Sequence, residues 1–314
     1  MHQAPSSVVE VDTAAATSTN GTATGSGIAL TTGAPGPSEA PRRTSGRSPR
    51  SGPAALTRPR IRASLRSSGA TPAGHHVATL HLRSPQASGD WCDWFIDHDT
   101  LTVTLTTALV RGRAGVSANA TARAALRADA GSGAGDHTGD HPADRLGTAF
   151  AAAHRELMPR AAFVTAFAAS VDAAGRVGFV DAGHGLTLLV RADGTRSLLG
   201  THSLPLGMWE GSTWPVRSVH LQPGDVLLAF NDAVLDLFTG DLAGVPLLAQ
   251  MVRDEGTPQR VLDRLARAAG RAAADRGRRD GTPAPLLAVC VRRDAVPSAP
   301  DARSMQLVAA TTRV

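Results

Sequence analysis

Residues 163–199 read FVTAFAASVDAAGRVGFVDAGHGLTLLVRADGTRSLL. Four short apolar runs are separated by turn chemistry. Phe163 to Val171 is predicted as a strand, Asp172-Ala173-Ala174-Gly175 as a turn, and Val177 to Ala182, Leu186 to Val190 and Thr195 to Leu199 as further strands, the last two joined by Ala192-Asp193-Gly194. The segment is predicted to be a meander. Downstream, Gln222-Pro223-Gly224-Asp225 sets up a strand over Val226 to Phe230, and Leu286 to Val291 is a last, fully apolar strand. Upstream, Val77 to Leu82 and the strictly alternating Leu101 to Leu105 are strands.

Helices are predicted in groups around these strands. Ala118 to Arg127 is one. Pro142 to Leu157 is a second, with Leu146, Phe150, Ala153 and Leu157 along one face. Thr257-Pro258 opens a third, with Thr as cap, Pro in the first turn and an apolar face of Val261, Leu262, Leu265, Ala268 and Ala269. Grouped strands and helices favour an α+β sandwich over a doubly wound parallel sheet.

Composition bounds the function classes. All 32 basic residues are Arg, and the chain has no Tyr. Eight Arg and no acid fall within 41–66, whereas 1–40 hold three acids (Glu10, Asp12, Glu39) and no Arg; residues 67–314 keep 24 of the 32 Arg and 24 of the 27 acids. The sequence pI near 10.8 thus belongs to the leading segment, and the remainder is neutral. A nucleic-acid-binding domain would carry that charge on a folded face, so no specific nucleic acid is expected. Residues 1–74, rich in Ser, Thr, Ala, Gly and Pro and without apolar period, are expected to be a disordered tail; 75–294 form the folded domain and 295–314 a short C-terminal tail. Cys92 and Cys290 lack metal-ligand spacing and are expected as small buried hydrophobes. No apolar run approaches the ~20 residues of a membrane span, and the first residues lack a basic leader, so the expected location is cytoplasmic. His137 and His141 beside Asp136 and Asp140 suggest a metal site, but a Gly-rich loop gives such ligands no supporting shell, and an ordinary loop is the reading taken.

The order of landmarks between 76 and 293 resembles the SpoIIE/RsbU branch of the metal-dependent (PPM-type) protein phosphatases. Ser88-Gly89-Asp90-Trp91-Cys92-Asp93-Trp94-Phe95 is similar to the family's Gly-Gly-Asp-Trp-Tyr-Asp-x-Phe stretch. Phe163-Val164-Thr165-Ala166, Asp181-Ala182-Gly183-His184-Gly185 and Leu204-Pro205-Leu206-Gly207 follow in family order. Leu221 to Leu228 and then Phe230-Asn231-Asp232 resemble Leu-x-Pro-Gly-Asp-x-Leu-Leu-x-Tyr-Thr-Asp-Gly. The resemblance implies an αββα sandwich, two packed and largely antiparallel sheets with helices outside. It also implies a serine/threonine phosphatase in which water held between two Mn²⁺ or Mg²⁺ ions attacks a phosphoester.

The departures from the family pattern fall on the metal ligands. The family draws them from an Asp-x-x-Gly-His-Gly turn, the Asp of Thr-Asp-Gly and a C-terminal Asp-Asp pair. Asp232 stands at the second of these positions, and Asp90 and Asp93 stand in the opening motif. Where the bridging Asp should follow strand 101–105, residues 106–115 read TTALVRGRAG, without a carboxylate. Before the last strand stand Thr282-Pro283-Ala284-Pro285, with Asp280 the nearest acid upstream. Arg111 and Arg113 oppose a dication at the vacated turn and suit a phosphate instead. Three readings follow. The first is a degenerate phosphatase domain serving as a regulatory or binding module for a regulatory phosphoprotein or another signalling protein, with Asp90, Asp93 and Asp232 as remnant metal ligands and Arg111 and Arg113 as substrate-binding groups. The second is an active Mn²⁺- or Mg²⁺-dependent protein phosphatase, with an anti-sigma-factor antagonist as the implied substrate. The third is a nucleic-acid or membrane binder driven by the tail. Ligand count favours the first. His184 is read as a structural donor, and Trp209 and Trp214 as loop packing.

Overall fold

The computed structural model describes residues 66–67, 71, 74–82, 89–97, 99–131, 142–201, 203–276 and 285–294, all within one unit spanning Arg58–Val314. The strands are β1 (Arg66–Ser67), β2 (His75–Leu82), β3 (Trp91–Asp97), β4 (Thr100–Ala108), β5 (Val164–Val171), β6 (Arg176–Ala182), β7 (Thr187–Val190), β8 (Arg196–Leu199), β9 (Arg217–His220), β10 (Val226–Phe230) and β11 (Leu286–Arg293). The α-helices are α1 (Gly112–Gly131), α2 (Pro142–Leu157), α3 (Val245–Glu255) and α4 (Pro258–Arg276).

Two sheets form, in the orders β1-β2-β11-β10-β7-β8 and β3-β4-β5-β6-β9, and every strand pair is antiparallel. Because side chains alternate along a strand, each sheet has two apolar faces to cover. Leu101, Val103 and Leu105 of β4 meet Leu227, Leu287 and Val289 of the other sheet in a central layer. The outer face of the first sheet, through Leu188, Leu228 and Phe230, packs on Leu248 and Val252 of α3 and Val261, Leu262 and Leu265 of α4. The outer face of the second, through Val164, Ala166 and Val180, packs on Ala118 and Ala122 of α1 and Phe150 and Ala153 of α2. The architecture is the α+β, αββα sandwich expected from the sequence.

The predicted strands recur within three residues of their bounds, and α2 and β10 coincide with their sequence boundaries. The meander expected over 163–199 is split between the sheets: β5 pairs with β6 in the second, whereas β7 pairs with β8 in the first, because the Gly-rich turn at 183–185 carries the chain from one sheet to the other. Helix α1 begins six residues earlier than its apolar pattern suggests, because its first turn, Gly112-Arg113-Ala114-Gly115, carries no apolar stripe to read. β3, β9 and α3 were not foreseen. β3 spans the Trp91-Cys92-Asp93-Trp94 stretch, where charged and aromatic residues hide the alternation. β1 pairs with β2 through Arg66↔Thr79, inside the stretch the sequence reading gives to the tail. Apart from Thr71 and Gly74, the rest of that tail lies outside the described residues, as do the His137/His141 loop, Asp280 and the C-terminal tail. Cys92 and Cys290 are free thiols; burial pushes Cys92 up to about 12 and Cys290 upward as well, as suits inert packing groups.

Candidate functional site

Period-two alternation decides where the opening-motif residues of β3 point. Cys92 and Trp94 pack on the central layer. Trp91, Asp93 and Phe95 therefore face α1, where Arg123 lies 5.1 Å over the Trp91 ring and Arg127 lies 5.7 Å over that of Phe95. The same two guanidiniums reach Asp93: Arg127 donates to its Oδ2 at 2.7 Å and Arg123 at 3.5 Å. Asp93 Oδ1 accepts from the Trp94 amide at 2.9 Å, so both oxygens of this buried carboxylate are engaged, one of them by half-exposed guanidiniums.

Asp90, also buried, sits just before β3. Its Oδ1 accepts from the Ala108 amide at 3.1 Å and from Asn119 Nδ2 of α1 at 3.3 Å. It thereby ties the end of β4 to the second turn of α1. The close approach of α1 explains the adjacent glycine. A Cβ on Gly89 would stand 2.5 Å from Val116 Cα, and its φ of +75° is in any case glycine territory.

Asp232 follows β10 in the other sheet. It is exposed, and its Oδ1 caps its own turn by accepting from the Ala233 amide at 2.9 Å. Its neighbour Asn231, where the family motif has Thr, is the structural residue here. Asn231 Nδ2 donates to Pro285 O at 2.7 Å and its Oδ1 accepts from the Leu287 amide at 3.0 Å, fixing the entry of β11. The fold brings Asp90 and Asp93 together against α1 and leaves Asp232 on the other sheet. Arg111 and Arg113 are exposed at the start of α1.

Asp181 was not singled out in sequence. It is fully buried at the end of β6, opposite Phe167 of the central layer. Its Oδ1 accepts from the His184 amide at 3.1 Å and its Oδ2 from the Gly185 amide at 2.8 Å. The available signal was an Asp preceding a Gly-rich turn, the pattern of a side chain capping its own backbone. Burial raises its carboxyl to about 6, against the lowering effect of the Gly185, His184 and Gly183 amides. Burial lowers His184 to about 4, partly countered by a hydrogen bond to the Leu186 backbone, and the ring lies 6.2 Å from Phe167. His184 is thus a neutral, turn-forming residue whose buried Nε2 finds no protein partner.

The Leu204–Gly207 segment joins the same edge of the sheet. Leu206 exchanges two backbone hydrogen bonds with Val164, at 2.9 and 3.1 Å. His154 of α2 accepts from the Gly207 amide at 2.9 Å through Nδ1 and packs against Trp214, with ring centroids 4.8 Å apart. Trp214 is buried as expected, whereas Trp209 is 69% exposed and does no loop packing.

Two metal ions held close together require several carboxylates, one of them bridging. The groups present do not fit that demand. Among the described residues no three His, Cys, Asp or Glu side chains converge on a point. Asp93 already balances arginines, Asp90 already accepts two N–H groups, and the turn after β4, Leu109-Val110-Arg111, offers no carboxylate.

The profile of the family described as Stage II sporulation protein E (SpoIIE) matches residues 111–282, more than half of the chain. The chain belongs to the SpoIIE family. Within the family the match starts at Arg111, so Asp232 lies inside it and Asp90 and Asp93 lie outside. Solved structures agree on the fold. The RsbU and RsbW domains of a Mycobacterium tuberculosis protein are 23% identical, with TM-score 0.56, covering 77% of this chain and 68% of that one. The PP2C phosphatase domain of SpoIIE from Bacillus subtilis, with a fragment of its regulatory domain, is 14% identical at TM-score 0.53, covering 71% and 64%. RsbX in complex with magnesium is 10% identical at TM-score 0.54, covering 74% and 100%. A curated relative, Protein IcfG of Synechocystis, is 29% identical over 77 residues, 24% of this chain. The match spans only 12% of that relative's length. This SpoIIE-type chain thus has the PPM phosphatase fold. No described helix is long and apolar enough to cross a membrane.

Proposed function

We propose that this SpoIIE-family domain is a degenerate phosphatase that acts as a binding or regulatory module in signalling, recognising a regulatory phosphoprotein or another signalling protein without hydrolysing a phosphoester. The observation that carries the reading is the engagement of Asp93. A carboxylate clamped by Arg127 at 2.7 Å and flanked by Arg123 is already charge-balanced. Two nearby guanidiniums oppose a dication there. Asp232, Asp90 and Asp93 are then what remains of a metal-binding set, all three now serving as structural acceptors. Arg111 and Arg113, exposed where the family carries its bridging Asp, supply charged donors that match a phosphate geometrically. Such a protein holds a phosphoryl group without activating water.

Hydrolysis of a phosphoserine peptide or p-nitrophenyl phosphate with saturating Mn²⁺ tests the reading, with calorimetric Mn²⁺ titration as an activity-independent readout. Wild type is expected to show neither turnover nor stoichiometric two-ion binding. A variant restoring Asp within 107–109 is expected to gain Mn²⁺ affinity. Phosphoserine-peptide binding is expected to fall about tenfold in Arg111→Ala/Arg113→Ala, in line with losing charge-assisted bonds. Robust wild-type turnover abolished by Asp232→Ala would overturn the proposal and make this an active Mn²⁺- or Mg²⁺-dependent phosphatase.

A further inference from the structure

Helix α4 turns Val261, Leu262 and Leu265 into the core beneath it. Its opposite side carries Arg260, Arg264, Arg267 and Arg271, all exposed. Spacings of four, three and four residues place these side chains within about 60° of one another around the helix and along roughly 16 Å of its length. Like charges three and four apart repel, so helix propensity alone does not account for such a file. Glu255, at the end of α3, balances one end only: it reaches Arg264 at 3.0 Å and Arg260 at 3.5 Å. Arg267 and Arg271 have no acidic partner among the described residues.

The flanks of the file are equally particular. Asp263 lies along one side, bonded to Gln259 at 2.9 Å, and Asp275 is exposed on the other. Gly270, whose added Cβ would meet nothing within 4 Å, and Ala274 leave open space beside Arg267.

We propose that the outer face of α4 is a docking surface for an acidic α-helix of a partner protein. That helix would carry carboxylates at i, i+4 and i+7 with basic residues on either side. Charge complementarity identifies the occupant. A single file of guanidiniums bordered by Asp263 and Asp275 matches a helix with the reverse pattern, and the small residues at 270 and 274 let a second helix approach. A phosphate backbone, negative across its whole width, meets the two flanking carboxylates unfavourably. α4 also has no aromatic residue on which a base could stack. The surface is independent of the vacated turn and its phosphate chemistry.

The test uses the full chain and a fluorescein-labelled helical peptide with a Glu file flanked by Lys, read by anisotropy at low salt. Arg267→Glu/Arg271→Glu is expected to weaken binding at least about tenfold, as for charge reversal at a complementary interface. A peptide with a Lys file flanked by Glu is expected to bind the double variant and not the wild type. A short DNA duplex is expected to bind wild type and double variant alike, through the Arg-rich 41–66 segment. Equal peptide binding by wild type and double variant overturns the proposal. So does loss of DNA binding in the variant without loss of peptide binding, which would assign the file to nucleic acid. Circular dichroism of the variant, expected to match wild type, separates loss of the surface from loss of the fold.

Discussion

Asp93 and Asp181 are both buried carboxylates, yet they are stabilised differently. Asp93 is balanced by arginines. The guanidiniums are about half exposed, which screens the pair, so Asp93→Asn is expected to cost only about 1 kcal/mol in chemical denaturation and to leave Mn²⁺ affinity unchanged. Asp181 has amides alone. Its folded-state value of about 6 stands above the ordinary 3.8, so between those values the folded protein holds a proton that the unfolded chain releases. Its contribution is therefore most favourable below pH 4 and is lost as pH rises towards 6, by roughly 3 kcal/mol in all. Asp181→Asn removes that dependence while sacrificing one amide acceptor. Unfolding free energies of wild type and variant at pH 4.5 and pH 7 are expected to show the variant gaining relative to wild type as pH rises; parallel profiles would refute the assignment. His154 has the opposite sign. Burial, then Arg155, lowers its value, so stability is lost as pH falls through 6.5 and the Gly207 amide loses its acceptor.

At the scale of elements, Gly178 shows how closely the outer layer sits on its sheet. A Cβ there would fall 2.1 Å from Ala143 Cβ at the start of α2. Gly178→Ala is expected to cost about 1–3 kcal/mol by forcing α2 outward, and Ala143→Gly in the same chain to recover part of it. A single-variant cost that the second substitution leaves untouched would show that α2 is free to shift. A glycine inside a strand marks a close backbone approach, and here the approaching element is the first turn of α2. Strands with clean alternation, such as 101–105 and 226–230, and the striped α2 were legible because burial on one face writes a period into the chain. β3 was not, because its α1 face uses Asp93 and aromatics stacked under arginines in place of aliphatics. For the site, the resemblance implied a carboxylate after β4, and residues 106–115 have none. It did not show that Asp93 turns towards Arg123 and Arg127, since ion pairs 30 and 34 residues apart leave no local pattern. Asn231, at the position of the motif's Thr, is a two-ended clamp on β11.

At the scale of the whole molecule, the residues matched by the SpoIIE profile, 111–282, are not a folding unit. β11 lies beyond that range, and β2, β3 and β4 lie before it. In the first sheet β11 stands between β2 and β10, pairing with β10 from Val226↔Arg292 to Phe230↔Ala288 and with β2 along all eight of its residues. In the second sheet β4 stands between β3 and β5. A chain cut to 111–282 would lose β1, β2 and the central β11 from the first sheet and β3 and β4 from one end of the second. It would expose Leu227, Ala229 and Phe167 of the central layer and leave β10 and β5 each unpaired along one edge, with only β7 and β6 still bonded to them. That loss exceeds the few kcal/mol by which a domain of this size is stable. The fragment 111–282 is therefore expected to be expanded and to unfold without a cooperative transition. A fragment spanning 58–294 is expected to melt cooperatively within a few degrees of the full chain. A cooperative melt of the shorter fragment would mean that β5–β10 and their helices close a core of their own, and that β2, β4 and β11 only dock onto it.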